Sequence, residues 1–157
     1  MSINRCDVLS AAASLISLGV LPVRAFALDL QTIEVFKTAT CGCCHDWVAH
    51  LQDAGFAVVA QDLEYDALAD LKQSAGVPDA LVSCHTGRIA GYVIEGHVPA
   101  ADIRRLLVEM PEAIGLSVPG MPFGSPGMGP EDKREAYDEV LIGPDGLTTV
   151  FTSYPAA

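Results

Sequence analysis

The sequence predicts a mixed α/β fold: a four-stranded sheet layered between helices, followed by a long loop and a terminal hairpin. Three observations carry the prediction. Short β-branched, apolar runs alternate with segments whose apolar residues recur every three or four positions. Glycines close the helical segments, at Gly55 and Gly76. A stretch dense in glycine and proline, Gly115 to Pro130, then ends the alternation.

The elements follow in order. TIEVFKT, Thr32 to Thr38, is β-branched and apolar, as a buried strand is. A cysteine loop comes next. In HDWVAHLQDAG, Trp47, Val48 and Leu51 fall at helical spacing and Gly55 is the stop. FAVVAQDL reads as the second strand. DALADLKQSAG is a short helix with Leu68 and Leu71 inward and Gly76 closing it. Val77-Pro78 leads into ALVSCH, the third strand; Thr86-Gly87-Arg88 turns the chain, and IAGYVIEG returns as the fourth. PAADIRRLLVEM is a helix with Pro99 in its first turn and an apolar stripe of Ile103, Leu106, Leu107 and Met110; Pro111 ends it. Strand, helix, strand, helix, strand, hairpin strand, helix is the order of the thioredoxin-like three-layer fold with a mixed sheet. There the cysteine loop leaves the first strand and opens the first helix, and a cis-proline begins the third strand beside it. Gly76-Val77-Pro78 occupies that slot; the sequence leaves open whether Pro78 is cis or an ordinary trans turn proline.

After Pro111 the composition changes. Residues 112–130 form a Pro/Gly/Met-rich loop that either wraps the domain of residues 28–111 or hangs free. EDKREAY is charged and exposed. DEVLIGPDGLTTVF reads as a hairpin around Gly143-Pro144-Asp145-Gly146, so residues 131–157 are a C-terminal hairpin extension.

Half of the 157 residues are apolar, ample for a core. A formal charge of −11 argues against nucleic acid and anionic membrane surfaces as partners. Residues 1–27 do not look like fold. Arg5 supplies a short positive region, VLSAAASLISLGVL an apolar one, and Ala25-Phe26-Ala27 a small-x-small cleavage site. The expectation is a secretory signal cleaved after Ala27, with export to a bacterial periplasm; an uncleaved anchor is the alternative. Nothing after Leu28 is long and apolar enough to span a membrane. Cleavage removes Cys6 and leaves Cys41, Cys43, Cys44 and Cys84.

TATCGCCHDW, Thr38 to Trp47, carries the chemistry. A bond between adjacent Cys43 and Cys44 is disfavoured, since their Cα atoms are held about 3.8 Å apart and disulfides prefer roughly 5.5–6 Å. Cys41–Cys44 has the redox-active C-x-x-C spacing, so a disulfide plus a spare thiol is one reading. A nest of metal ligands is the other. At a helix start, free N–H groups and the dipole favour thiolate, and they favour neutral, metal-binding imidazole at His45. Clustered thiolates select soft ions. Structural zinc prefers two separated cysteine pairs and is the second choice. Met121 and Met128, on a loop between glycines and prolines, offer thioethers suited to Cu(I); Met110 continues a helical stripe and reads as core. On a regular strand Cys84 would lie roughly 20 Å beyond Pro78, far from the cysteine loop. Either the chain folds it back or it is a buried structural thiol, and His85 shares that fate. His97 follows a strand that returns toward the cysteine loop and reads as a ligand. His50, further into the first helix, reads as a supporting or surface residue.

CGCCHDWVAHL, GVPDALVSCHTGRIAGYVIEGHVPAADIRRLL and GLSVPGMPFGSPGM together resemble the CopG family of periplasmic copper-resistance proteins, a metal-binding family long catalogued as a domain of unknown function. The likeness runs from about Ile33 to Met128. It implies a thioredoxin-like fold, export, a role in copper resistance, and copper held as Cu(I); since one sulfur can bind two ions, the clustered thiols themselves allow a multinuclear cluster. It carries over as metal ligands Cys41, Cys43, Cys44, Cys84, His85, His97, Met121 and Met128. Implied partners are copper ions and other periplasmic copper-handling proteins. Two departures from thioredoxin itself weigh against ordinary disulfide reduction: Trp47 follows the cysteines, and a cysteine stands inside C-x-x-C. A thiol-disulfide or copper oxidoreductase using Cys41 and Cys44 is the alternative function.

Overall fold

The computed structural model describes residues 31–157. The expected export signal over residues 1–27, with Cys6, lies outside the described residues. Strand β1 (Thr32–Lys37) buries Ile33 and Val35, and burial continues through Phe36 and Lys37 at its end. Helix α1 (Gly42–Asp53) buries Cys44, Trp47 and Leu51, a stripe at three- and four-residue spacing. It closes on Gly55, whose φ is +88°, with Phe56 N–H on the Leu51 carbonyl and Gly55 N–H on Gln52. This is the left-handed glycine stop expected from sequence. Strand β2 (Ala57–Asp62) pairs in parallel with β1, and helix α2 (Tyr65–Ser74) follows.

The third strand differs from expectation. Asp79–Leu81 forms a single 3-10 turn, and strand β3 covers only Thr86–Ile89. The hairpin turn is Ala90-Gly91, both at positive φ, and it leads to strand β4 (Tyr92–Glu95). Two positive-φ residues make the turn whose twist matches paired strands. An alanine in the first of these positions hid it, and Thr86-Gly87-Arg88 is strand instead. All described peptide bonds are trans, Pro78 included.

Helix α3 (Ala100–Glu109) buries Ile103 and Leu106. Met110 is not core: it caps the helix in the left-handed conformation at φ +45° and is exposed. One residue past the last helical turn, it has left the apolar stripe.

Strand β5 (Gly115–Ser117) lies inside the segment expected to be loop and pairs in parallel with β4. Gly115 sits opposite Val93 where a Cβ would fall 1.8 Å from the Val93 carbonyl oxygen, so only glycine fits. Strands β6 (Tyr137–Ile142) and β7 (Thr148–Tyr154) form the expected terminal hairpin. β6 also pairs with β5, and the result is one mixed seven-stranded sheet in the order β2-β1-β3-β4-β5-β6-β7 rather than four strands and a separate hairpin. A three-residue strand leaves no periodicity to read, which is why the join was not legible.

The order β1-α1-β2-α2-β3-β4-α3 is as the sequence predicts. One core cluster joins Trp47 and Leu51 of α1, Ile103 and Leu106 of α3, and Ile33, Val35, Ile94 and Leu116 of the sheet. No helix among the described residues is long and apolar enough to cross a membrane.

Candidate metal centre

The end of β1 delivers the chain to the start of α1. Cys41 is the N-cap residue, in extended conformation and with no side-chain cap on the helix N–H groups; Cys43 and Cys44 occupy the first turn. Cys44 points into the core, and Cys41 and Cys43 are half-buried. Cys41 and Cys44 are joined in a disulfide with Cα atoms 5.3 Å apart. Of the two readings open from sequence, the structure holds the disulfide with Cys43 as the spare thiol: C-x-x-C on a helix start has the separation a disulfide needs. Cys43 and Cys84 are the free thiols among the described residues.

The early 3-10 turn and late strand start settle the position of Cys84. Because β3 begins only at Thr86, the chain before it bends back, and the long strand separation expected from sequence does not arise. Cys43 Sγ lies 3.6 Å from Cys41 Sγ and 3.8 Å from Cys84 Sγ. Cys84 Sγ is in turn 3.2 Å from His85 Nδ1 and 3.3 Å from His97 Nε2. Two sets of possible ligands result, Cys41/Cys43/Cys44/Cys84 and Cys84/His85/His97, each with its donor atoms within 4.8 Å of one another. Cys84 belongs to both.

Both histidines are held toward the neutral form, the form able to bind a metal. His97 donates from Nδ1 to the Pro126 carbonyl at 2.8 Å, which leaves the Nε2 lone pair facing Cys84. Burial pushes the His97 pKa down, with the Pro126 carbonyl opposing. His85 is fully buried, its ring 4.3 Å from Trp47 and edge-on to His97 at 4.9 Å. Burial, then the neighbouring His97 and Lys72, hold its pKa well below the usual imidazole range. Its Nε2 is buried without a partner. Burial, and then Cys43, pushes the Cys84 thiol up to about 12. An incoming soft cation must displace that proton.

The Pro/Gly/Met loop wraps the domain. Besides the Pro126 contact, the Gly120 carbonyl accepts from Ser83 Oγ at 2.5 Å. Gly127, at φ +82°, lies so close to α1 that a Cβ would come within 2.7 Å of Trp47 N and 2.9 Å of the Cys43 carbonyl. Met121 is exposed and Met128 half-buried on this segment. His45 is exposed, with Nε2 3.3 Å from Lys37 Nζ, and stands apart from both ligand sets. His50 Nε2 accepts the Ala100 N–H and so caps α3, a supporting role.

Beneath the Cys84–His85 turn lies a polar network that sequence reasoning missed. Lys72 Nζ donates to Glu95 Oε1 at 2.6 Å and to Thr86 Oγ1 at 2.9 Å, with both charged groups buried. The available signals were a lone Glu in the apolar strand YVIEG and a lysine four residues after Leu68 on the buried face of α2. A cavity of about 400 Å³, walled by Leu68, Val77 and Val82, opens beside Cys84 and Lys72.

A family described as "Protein of unknown function, DUF411" matches residues 81–128. No curated protein sequence matches the chain. Two solved structures are similar to it over most of its length. "Copper resistance protein copG- Form 1" is 44% identical, with a TM-score of 0.76, covering 82% of this chain and 100% of that one. "Copper resistance protein copG- Form 2" is 46% identical, with a TM-score of 0.73, covering 80% and 98% respectively. Identity at this level across the whole of those proteins, together with a Cys/His cluster able to hold a metal, places the chain: it belongs to the CopG family of copper resistance proteins.

Proposed function

We propose that this chain is an exported copper-resistance protein that sequesters or hands on Cu(I) at the Cys/His centre. The convergence of two ligand sets on the single sulfur of Cys84 carries this reading. Thiolates suit a soft monovalent ion, and a sulfur shared between two sets can bridge two ions, which favours a multinuclear cluster. Cys41, Cys43, Cys44 and Cys84 supply sulfur and His85 and His97 supply nitrogen. Met121 and Met128, on the loop seated over the centre, complete and shield it. Full thiolate ligation requires that the Cys41–Cys44 bond first accept two electrons and two protons from an external dithiol. The first four strands, in the order β2-β1-β3-β4, support reading that half as a thioredoxin-like unit. The signal-like residues 1–27 support export to the periplasm. Protein purified anaerobically from copper-supplemented cells should carry copper, and Cys43→Ser should lower copper per chain. Unchanged copper content in that variant sinks the cluster.

The Cys41–Cys44 disulfide favours a second reading, a thiol-disulfide or copper oxidoreductase. Reduction of an external disulfide without copper, left intact by Cys43→Ser, distinguishes it.

A further inference from the structure

Regular ladder pairing begins at Thr86, and the Cys84–His85 dipeptide before it keeps one main-chain bond to the neighbouring chain segment, from Gly96 N–H to the His85 carbonyl at 3.0 Å. Glu95 supplies side-chain support on both sides of the dipeptide. Its carboxylate is fully buried, and both oxygens are used. Oε1 accepts from the Ser83 backbone N–H at 2.6 Å and from Lys72, and Oε2 accepts from Thr86 Oγ1 at 2.7 Å. One side chain thus grips the residue before Cys84 and the residue after His85. Two residues on, just past the end of β4, stands His97, the third member of that ligand set. A buried ion pair is a poor way to stabilise a core, because desolvation offsets the attraction, so stability alone does not explain a lysine and a glutamate here.

We propose that Glu95 is a positioning residue of the metal centre, holding the Cys84–His85 turn in its ligating shape through Ser83 and Thr86, with Lys72 as its counter-ion. This rests on the copper-binding reading above. Ligands fixed before the ion arrives spare it the ordering of a loop, and groups behind a metal site typically contribute about 10- to 100-fold in affinity.

Two double variants separate positioning from charge. Lys72→Met with Glu95→Leu removes the ion pair and the acceptor for Ser83 N–H. Lys72→Met with Glu95→Gln removes the same charges but keeps an amide oxygen in the acceptor's place. Both are reduced anaerobically and titrated with Cu(I) against a chromophoric Cu(I) chelator, with circular dichroism and thermal melting as fold controls. The Glu95→Leu pair should bind about 10- to 100-fold more weakly than the parent and lose histidine nitrogen from its copper X-ray absorption spectrum. The Glu95→Gln pair should recover most of both. Equal affinities in the two folded double variants overturn the positioning role. If the Glu95→Leu pair does not fold, Thr86→Val removes one donor without touching a charge, and unchanged affinity there overturns it equally. A parent that takes up no copper removes the proposed function, and this role falls with it; a parent that binds while the variants bind alike removes the role only.

Discussion

Cys84 carries more of the centre than any other side chain. Its sulfur touches Cys43, His85 and His97, and its thiol is pushed up to about 12 by burial and by Cys43. The metal-binding form of a thiol is the thiolate, so on the proposed copper-binding role protons compete with the ion and affinity climbs as pH rises. His85 and His97 are pushed down instead and are already neutral near pH 7, so they add no slope above it. Between about pH 7 and 9, Cu(I) affinity should rise roughly tenfold per pH unit for each thiol proton displaced. Cys84→Ser should flatten that slope and weaken binding in both ligand sets. Competition titrations across the range check this, and a pH-independent affinity contradicts it. The sequence brought Cys41, Cys43, Cys44 and His97 to one place, because strand-to-helix connection and antiparallel return are local consequences of pattern. It left Cys84 and His85 open, because their position depends on where β3 starts.

At the scale of elements, the β6–β7 hairpin meets α3 through a pair of carboxyl groups, Asp102 and Glu139. Asp102 accepts from the Thr152 hydroxyl at 3.1 Å and from Tyr154 Oη. Glu139 is fully buried, and neither of its oxygens has a partner. Burial first, then the Asp102 charge, pushes its carboxyl up to about 10. A carboxyl with a raised folded pKa contributes stability that is fully present below its unfolded value, about 4.3, and is lost as pH rises toward the folded one. Stability should therefore fall by up to about 1.4 kcal/mol per pH unit across that window. Glu139→Gln should remove most of the slope. Urea unfolding at several pH values measures it, and identical slopes in parent and variant refute the assignment. Helices α1, α2 and α3 were legible because each combines an apolar stripe with a clear start or stop. β5 was not, because its three residues are set by the close approach of Gly115 to Val93 rather than by any local preference.

For the whole molecule, the consequence of β5 is continuity. The C-terminal hairpin is not an appendage but two further strands of one sheet, with Ile142 fully buried. Truncation after Pro130 strips β5 of its β6 partner and should cost about 2–5 kcal/mol from lost core packing alone. Thermal melting by circular dichroism checks this, and an unchanged midpoint would show the hairpin to be dispensable. Composition and periodicity by themselves determined the α/β class, the order of the first seven elements, the cysteine-bearing helix start and the soft-metal character of its residues. These are properties of short windows, where side-chain type and spacing act directly. Only the tertiary structure decided the continuation of the sheet to seven strands, the Cys41–Cys44 bond, the return of Cys84 to Cys43, and the burial of Lys72 with Glu95 beneath them. Each of those depends on atoms brought together from distant parts of the chain, where sterics and desolvation choose among conformations that local sequence leaves equal.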